Sequence, residues 1–281
     1  MSGVPNADQI ESWNGGSGRE WAEDPDRRDA VLAPIADALL AVARLAPGEQ
    51  VLDIGCGCAA TTLDAARRVA PSGAVLGVDV SAPMLDVARC RAREQGVANA
   101  AFERADAQTF VLPTARFDAA TSRFGTMFFA DPAAAFGNIA ASLRVGGRLC
   151  LATWQPLAAN EWLTTPGAVL LQYGTLPQIT DGPGMFAQSD PAALATMLTG
   201  AGFEAVDAAP VTVTLPLGSD PVEAANYLAA TGPGRAILDT VEDAARPAAI
   251  AAVRSMLAGF TSRDGVRMDA AIWVTTAVRA G

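Results

Sequence analysis

Short apolar runs alternate with longer amphipathic stretches between residues 50 and 154, and this alternation is what most constrains the fold. A short run bounded by turn residues predicts a buried strand, whereas apolar residues spaced three or four apart predict a helix. Alternating strands and helices form mostly parallel sheets with helices on both faces, so an α/β protein is predicted. The predicted strands are 50–54, 74–79, 100–104, 117–122 and 147–154. The predicted helices are 34–45, 61–70, 82–96 and 132–143.

The regular alternation of strand and helix patterns ends after residue 154. Residues 155–188 are rich in Pro, Gly and Thr, which is typical of a loop-rich insertion. A helix at 191–201, a strand near 206–217, helical patterns at 221–259 and a strand near 268–278 follow, so the sheet is predicted to have seven strands. The predicted segments are an N-terminal helical cap at 1–45, a core at 46–155, an insertion or lid at 156–190, and the rest of the core at 191–281 with a helical insertion at 219–262.

Charge and composition exclude several classes of function. The chain has 30 acidic and 20 basic residues and no continuous basic stripe, so no nucleic-acid partner is predicted. No apolar stretch is long enough to span a membrane, and the first residues lack a signal-peptide pattern, so a cytoplasmic protein is expected. Four cysteines without any histidine make a poor zinc site, so no metal is expected and the cysteines are expected to be reduced.

Two glycines, Gly55 and Gly57, follow the first predicted strand in the sequence VLDIGCG. Ligands bind beyond the carboxyl ends of parallel strands, and glycines there let the backbone turn and a ligand approach closely. Asp79 ends the second predicted strand, where a carboxylate accepts hydrogen bonds from ribose hydroxyls. This pattern alone fits either a nicotinamide dinucleotide or S-adenosylmethionine (SAM).

Three further features favour SAM over a dinucleotide. Asp53 would repel a pyrophosphate, but it suits the ammonium group of a ligand that carries an amino acid. Asp106, Ala107 and Gln108 follow the third predicted strand, where hydrogen bonds could read an adenine edge. The sheet is also predicted to end in two strands around a helical insertion, rather than in a second mononucleotide-binding half.

Five segments resemble the successive motifs of class I SAM-dependent methyltransferases. They are VLDIGCGCAATT, VLGVDVSAPMLDVAR, ADAQTF, FDAATSRFGTMFFADP and LRVGGRLCLATW. The likeness is greatest to the small-molecule branch that includes ubiquinone/menaquinone-type methyltransferases, and it covers residues 30–155 most strongly. The resemblance implies a Rossmann-like sheet, SAM as the cofactor, and a small-molecule methyl acceptor as the partner.

The resemblance also assigns cofactor-binding residues. The matches to the family's motifs are Asp53, Gly55 and Gly57 in the first motif, Asp79 at the ribose, Val80 and Met84 beside the adenosine, Asp106, Ala107 and Gln108 at the adenine, and Ser122 near the methionine part. One departure is Cys58, which stands where the family usually has glycine. We expect Cys58 to be tolerated because it is small, although the backbone at that position is less free than with glycine.

Five residues are candidates for contact with the methyl acceptor, and each has a structural alternative. They are Trp21, Arg123, Phe124, Trp154 and Tyr173. Arg123 could instead pair with an acidic residue, and the aromatic residues could pack in the core or anchor the N-terminal segment. Together with the apolar residues of the predicted insertions, these candidates favour a small-to-medium, largely apolar acceptor.

The mechanism is restricted by the residues that the chain lacks. It has no histidine, and all 20 basic residues are arginine, so two common general bases are absent. Catalysis is therefore predicted to rest on proximity and desolvation, with no catalytic residue assigned. Two alternatives stay open, namely a SAM-binding protein that does not methylate and, less favoured, an NAD(P)-dependent oxidoreductase. The oligomeric state also stays open, with a homodimer as one option.

Overall fold

Helices and strands alternate along the part of the chain that the computed structural model describes, which is residues 6–176, 182–230 and 232–281. The strands are β1 (Gln50–Ile54), β2 (Ala74–Asp79), β3 (Ala100–Arg104), β4 (Phe117–Arg123), β5 (Leu143–Trp154), β6 (Phe203–Gly218), β7 (Thr261–Ser262) and β8 (Gly265–Arg279). The α-helices are α1 (Ala7–Asn14), α2 (Gly16–Glu23), α3 (Pro25–Ala43), α4 (Ala60–Val69), α5 (Ala82–Glu94), α6 (Pro132–Ser142), α7 (Glu161–Leu170), α8 (Pro191–Gly200), α9 (Pro221–Ala230), α10 (Gly232–Leu238) and α11 (Arg246–Leu257).

The strands form one sheet in the order β3-β2-β1-β4-β5-β8-β6, and β7 pairs with β8. Neighbouring strands among β1 to β5 are parallel, whereas β8 is antiparallel to β5. The predicted α/β class and mostly parallel sheet are therefore confirmed. The strand beyond the predicted seven is β7, whose two residues are too few to show a periodic pattern. The strand order reverses between β1 and β4, and ligands bind at such switch points in open parallel sheets.

Both faces of β1 are buried, which explains its apolar sequence. Leu52 and Ile54 belong to one core cluster, together with Phe136 and Ile139 of α6. Val51 belongs to a second cluster, together with residues of α3 and α4. Successive residues of a strand point to opposite faces, so near-continuous apolar strands are typical of sheets that helices cover on both sides.

Four helices begin at an Asp-Pro pair. Asp24, Asp131, Asp190 and Asp220 each accept a hydrogen bond from a backbone N–H in the first turn of α3, α6, α8 and α9. The proline that follows has no N–H to leave unpaired, so the pair is a strong local start signal. The predicted start of α3 at residue 34 is nevertheless wrong, because Pro34 lies inside the helix.

Two turn-rich segments contain helices whose bounds the sequence pattern did not predict. The polar, turn-rich segment before residue 30 contains α1, α2 and the start of α3. The insertion at 155–188 contains α7, which has Pro166 in its interior. Glycine and proline in these segments mask the helical spacing. None of the described helices combines the length and hydropathy that crossing a membrane requires.

The chain divides into two compact units. The first unit holds the described residues within 1–154, 182–211 and 272–281, and the second holds those within 155–181 and 212–271. In the second unit, α11 packs against α7 and α9, and α10 packs against the same two helices. Asn160 is a polar centre of this unit, since its amide group accepts from the N–H of Ala271 and donates to the carbonyl of Gln155. The four predicted segments stay a prediction.

Candidate functional site

The loop after β1 passes very close to another loop of the first unit. Gly55 and Gly57 have positive φ angles of 66° and 53°. A Cβ on Gly55 would lie only 2.6 Å from Cα of Gly125, and one on Gly57 would lie 2.8 Å from Cε of Met84. The end of the Met84 side chain can move, but the backbone of Gly125 cannot move without shifting its loop. Conformation and space therefore both require glycine at position 55.

Asp79, the last residue of β2, joins the loops that follow β1 and β2. Its Oδ2 accepts a hydrogen bond from the N–H of Gly57, and its Oδ1 accepts one from the N–H of Ser81, both at 2.8 Å. Burial raises the pKa of Asp79, these N–H donors lower it, and the negative charge of Asp53 raises it. Each carboxylate oxygen has two lone pairs, so each can accept one more hydrogen bond from a ligand hydroxyl.

Asp53 lies deeper, one residue before the end of β1, and is only 1% exposed. Its Oδ2 accepts hydrogen bonds from the hydroxyls of Thr61 (2.7 Å) and Thr62 (2.6 Å), and its Oδ1 accepts one from Thr121 (3.1 Å). Burial raises the pKa of Asp53, while these hydroxyls and the positive charge of Arg123 lower it. Asp53 thus joins β1 to α4 and β4, and its predicted contact with a ligand ammonium stays a prediction.

The loop after β3 lies against the end of β2. The N–H of Ala105 donates to the carbonyl of Asp79 at 2.9 Å. Gln108 is buried, and its side-chain nitrogen and backbone N–H both donate to Asp106 at 3.0 Å. Ala107 is also buried, with 4% of its surface exposed. The three predicted adenine-contacting residues therefore form one hydrogen-bonded turn beside β2.

The N-terminal segment is attached to the loop after β2. The side-chain nitrogen of Asn14 donates to the carbonyl of Val80, and its oxygen accepts from the N–H of Ala82, both at 3.0 Å. The hydroxyl of Ser81 donates to the carbonyl of Trp13 at 2.6 Å. The junction of α1 and α2 therefore lies at the carboxyl end of β2. Local patterns do not reveal Asn14, because its partners are 66 and 68 residues away in the sequence.

Asp29 of α3 joins α5 and β4. Its Oδ2 accepts from Nη1 of Arg91 at 2.6 Å, and its Oδ1 accepts from Nη2 of Arg123 at 3.3 Å. Arg91 also donates to the carbonyl of Cys58 at 2.9 Å, which ties α5 to the loop after β1. The other terminal nitrogen of Arg123, Nη1, is buried and has no hydrogen-bond partner among the described residues. Sequence patterns did not identify Asp29, whose partners are 62 and 94 residues away.

Aromatic rings of the cap and of the loop after β4 contact one another. The ring of Trp13 lies edge-on to Phe128, with 5.0 Å between the centroids, and edge-on to Trp21 at 6.2 Å. Trp21 also lies beneath the guanidinium group of Arg28, 4.8 Å from it. Trp21, a predicted acceptor contact, is therefore part of an aromatic cluster in the N-terminal segment.

The end of β4 carries a second pair of stacked rings. Phe124 stacks on Trp154 with 4.3 Å between ring centroids. Phe124 has a φ angle of 70°, in the left-handed region, which is a strained conformation for an aromatic residue. Such backbone strain is enriched at functional sites. Ser122 is fully buried, with its hydroxyl donating to the carbonyl of Ile54 at 2.7 Å. Tyr173 belongs to the second unit, where it is 37% exposed.

The structure therefore gathers most predicted cofactor residues at the carboxyl ends of three neighbouring strands, within the first unit. They are Asp53, Gly55, Gly57, Asp79, Val80, Met84, Asp106, Ala107 and Gln108. Ser122, Arg123 and Phe124 lie at the end of β4, on the other side of β1. What each of these residues contacts in a bound ligand stays a prediction.

Comparison with known proteins gives consistent matches. The family model for a methyltransferase domain matches residues 51–147. A nocamycin O-methyltransferase from Saccharothrix syringae is 32% identical over 60% of this chain and 64% of the relative, so the chain spans less than two thirds of its length. A demethylmenaquinone methyltransferase from Lactiplantibacillus plantarum is 32% identical over 59% of this chain and 75% of the relative.

A solved structure also matches nearly the whole chain. It is a phosphoethanolamine N-methyltransferase from Haemonchus contortus in complex with phosphomonomethylethanolamine and S-adenosylhomocysteine. The TM-score is 0.61, with 17% identity over 99% of this chain and 61% of that chain. At this identity, the likeness is evidence for the fold alone.

Proposed function

The chain belongs to the class I SAM-dependent methyltransferase family, and we propose that it transfers a methyl group from SAM to a small-to-medium, largely apolar metabolite. The observation that carries the proposal is the position of Asp79. Its carboxylate is held by the N–H groups of Gly57 and Ser81, beside the tight loop of Gly55 and Gly57.

The residues at this edge fit SAM. Asp79 would hold the ribose hydroxyls, the turn of Asp106 to Gln108 would hold the adenine, and the loop of Gly55 and Gly57 would lie against the methionine part. When bound, SAM supplies a methyl group on a positively charged sulfur. The negative charge of Asp53 favours such a cation over a pyrophosphate, which argues against the oxidoreductase alternative.

The contribution of this chain to catalysis is proposed to be positioning and the exclusion of water. The chain has no histidine or lysine to act as a general base. Near the site, Asp53 is occupied by three hydroxyl donors, and burial raises the pKa of Cys58 to about 12. Neither group is suited to take a proton from an acceptor at neutral pH.

The aromatic clusters support an apolar acceptor. Trp13, Trp21 and Phe128 form one cluster, and Phe124 and Trp154 form another. Aromatic and apolar walls are typical of pockets for small organic molecules. The names of two relatives, a nocamycin O-methyltransferase and a demethylmenaquinone methyltransferase, agree with an organic acceptor of this kind.

The test is to incubate the protein with methyl-labelled SAM and a metabolite extract from its source organism, and to search for labelled products by mass spectrometry. Asp79→Ala is expected to abolish labelling. Asp86→Ala is the matched control, since Asp86 lies on α5, is exposed and pairs only with Arg89 among the described residues. A labelled product that depends on Asp79 and not on Asp86 would establish the activity and identify the acceptor.

Two results would count against methyl transfer. Tight binding of SAM without any labelled product would favour a SAM-binding protein that does not methylate. Binding of NADH with no binding of SAM would favour an oxidoreductase instead. A calorimetric titration with each of the two ligands separates these outcomes before any search for an acceptor.

A further inference from the structure

A short turn of the first unit, residues 184–189, lies against the loop after β4. The N–H of Ala187 donates to the carbonyl of Gly184 at 3.0 Å, which closes the turn. The N–H of Gly184 donates to the carbonyl of Met127, also at 3.0 Å. The first residue of the turn is therefore attached to the loop after β4.

Gln188 attaches the other end of the turn to the same loop. Its side-chain nitrogen donates to the carbonyl of Thr126, and its side-chain oxygen accepts from the hydroxyl of Thr126, both at 2.8 Å. Gln188 is only 5% exposed. Breaking either bond would leave a buried polar group without a partner, which is costly, so this pair fixes the turn on the loop.

The end of the turn also contacts two strands beyond β4. The hydroxyl of Thr153, the residue before the end of β5, donates to the carbonyl of Gln188 at 3.4 Å. The indole N–H of Trp273, which pairs with Thr153 in β8, donates to the carbonyl of Ser189 at 2.8 Å. The turn therefore lies near the carboxyl ends of β4 and β5, across β1 from β2 and β3.

The turn carries two apolar side chains, Met185 and Phe186, which are only half-buried. Binding residues often lie on loops that a rigid scaffold holds in place, and this turn is held at both ends. Gly125, in the loop to which the turn is attached, lies directly against Gly55 of the loop after β1. The half-buried apolar pair is therefore one loop away from the proposed cofactor-binding glycines.

We propose that the turn at 184–189 selects the methyl acceptor. Met185 and Phe186 contact the apolar part of the acceptor, and Gln188 is a positioning residue that acts through Thr126. This inference rests on the proposed function, in which the adenosine of SAM lies over the ends of β2 and β3. The acceptor then has to reach the methyl group from the opposite side, over the ends of β4 and β5. A phenyl ring and a flexible thioether suit an apolar ring system there.

The experiment first identifies the main acceptor with methyl-labelled SAM and the metabolite extract, and then measures kcat and KM with that acceptor purified. Phe186→Ala is expected to raise KM about 10- to 100-fold, through the lost burial of one ring, and to add labelled products of larger mass from the extract. The dissociation constant of SAM, measured by calorimetry, should stay within about twofold. Val145→Ala is the control and should change none of these values, since Val145 is 71% exposed near the start of β5.

Gln188→Leu removes both bonds to Thr126 at a similar side-chain volume. It is expected to raise KM for the purified acceptor at least about tenfold and to leave the dissociation constant of SAM within about twofold. A merely structural role would weaken SAM as well, because the loop after β4 lies against Gly55. Gln172→Leu is the matched control, since Gln172 is exposed and belongs to the second unit.

An unchanged KM and an unchanged set of labelled products in Phe186→Ala would overturn the proposal, even if Gln188→Leu failed to fold. Equal weakening of SAM and of the acceptor by Gln188→Leu would overturn the positioning role of Gln188. In both cases the wild-type product would leave the proposed function standing. If the wild-type protein labels no product, the proposed function itself fails, and this inference fails with it.

Discussion

The ends of β1 and β2 lie side by side in the sheet, and each carries an aspartate, but the two carboxylates are held in different ways. Asp53 accepts hydrogen bonds from three threonine hydroxyls, and Asp79 accepts them from two backbone N–H groups. A hydroxyl can turn and either donate or accept, whereas a backbone N–H can only donate. Asp53 is also fully buried, while Asp79 is partly exposed.

The two strand ends each place an aspartate beside a loop, but this difference gives the two aspartates different tasks. The end of β1 holds strands and helices together, because its polar partners lie on α4 and β4. The end of β2 holds a carboxylate where a ligand can reach it, because its partners are the loops themselves. Substitutions at the two ends should therefore have different effects on stability and on ligand binding.

The largest effect is expected at Gly55, directly after β1. Gly55→Ala places a Cβ 2.6 Å from Cα of Gly125 in a backbone conformation with positive φ, so it should lower the free energy of unfolding by about 3–4 kcal/mol. Gly96→Ala is the matched control, since Gly96 has a φ of 65° but open space around its Cβ position. It should lower the free energy of unfolding by only about 1 kcal/mol. Urea denaturation measures both, and equal losses would mean that the contact with Gly125 is unimportant.

Removal of the Asp53 carboxylate is expected to have the next largest effect. Asp53→Ala leaves three buried hydroxyls without their acceptor and should lower the free energy of unfolding by about 2–3 kcal/mol. Asp53→Asn should lower it by less than about 1 kcal/mol, because the hydroxyls can turn to accept from the new amide group. The comparison of the two variants by urea denaturation tests the role of hydroxyl rotation. An Asn variant as unstable as the Ala variant would argue that the negative charge itself is needed.

At Asp79 the asparagine substitution is expected to be worse than at Asp53. Asp79→Asn turns an amide nitrogen toward one of two fixed N–H donors, and should lower the free energy of unfolding by about 1–2 kcal/mol. It should also weaken SAM binding at least about tenfold, through the lost charged acceptor. Thermal unfolding and calorimetry give the two values, with Asp86→Asn as the exposed control. If Asn were tolerated better at position 79 than at position 53, the distinction between the two strand ends would be wrong.

The smallest effect is expected in the pH dependence of stability. Burial raises the pKa of Asp53 in the folded protein, so the folded state binds more protons than the unfolded state between the ordinary carboxyl pKa of about 4 and the raised value. Stability from this group is therefore greatest below about pH 4 and declines as the pH rises through that window, by at most about 1.4 kcal/mol per pH unit.

Asp53→Asn removes this titration. The free energy of unfolding of the variant, measured by urea denaturation from pH 4 upward, should fall less steeply than that of the wild type. Asp86→Asn, at an exposed position, should leave the wild-type slope unchanged. A steeper decline in Asp53→Asn would contradict the direction of the pKa shift.

The central strands were predictable because their signals are local. The bounds of β1, β2 and β3 agree with the prediction at both ends, since each is a short apolar run between turn residues. The parallel topology then brings Gly57 and Asp79 to one edge of the sheet without any knowledge of their contact. The hydrogen bond between them spans 22 residues of sequence, but it follows from the strand order.

The contacts of the cap were not predictable for the opposite reason. Asn14 and Asp29 lie in a polar segment, and their partners are 62 to 94 residues away. Such residues look like ordinary surface positions until the fold brings their partners near. The same holds for the unpaired nitrogen of Arg123, because its burial depends on how α3 packs against β4.

The contact between Gly55 and Gly125 has a practical consequence for engineering acceptor scope. Residues 124–129 adjoin the site, so this loop is a natural target for randomised libraries. A Cβ on Gly125 would lie 2.7 Å from both Cα of Gly55 and the carbonyl oxygen of Ile54. A library that keeps glycine at position 125 changes only the side chains of the loop after β4. A library that varies position 125 forces this loop away from the loop after β1, which contains the proposed cofactor-binding glycines.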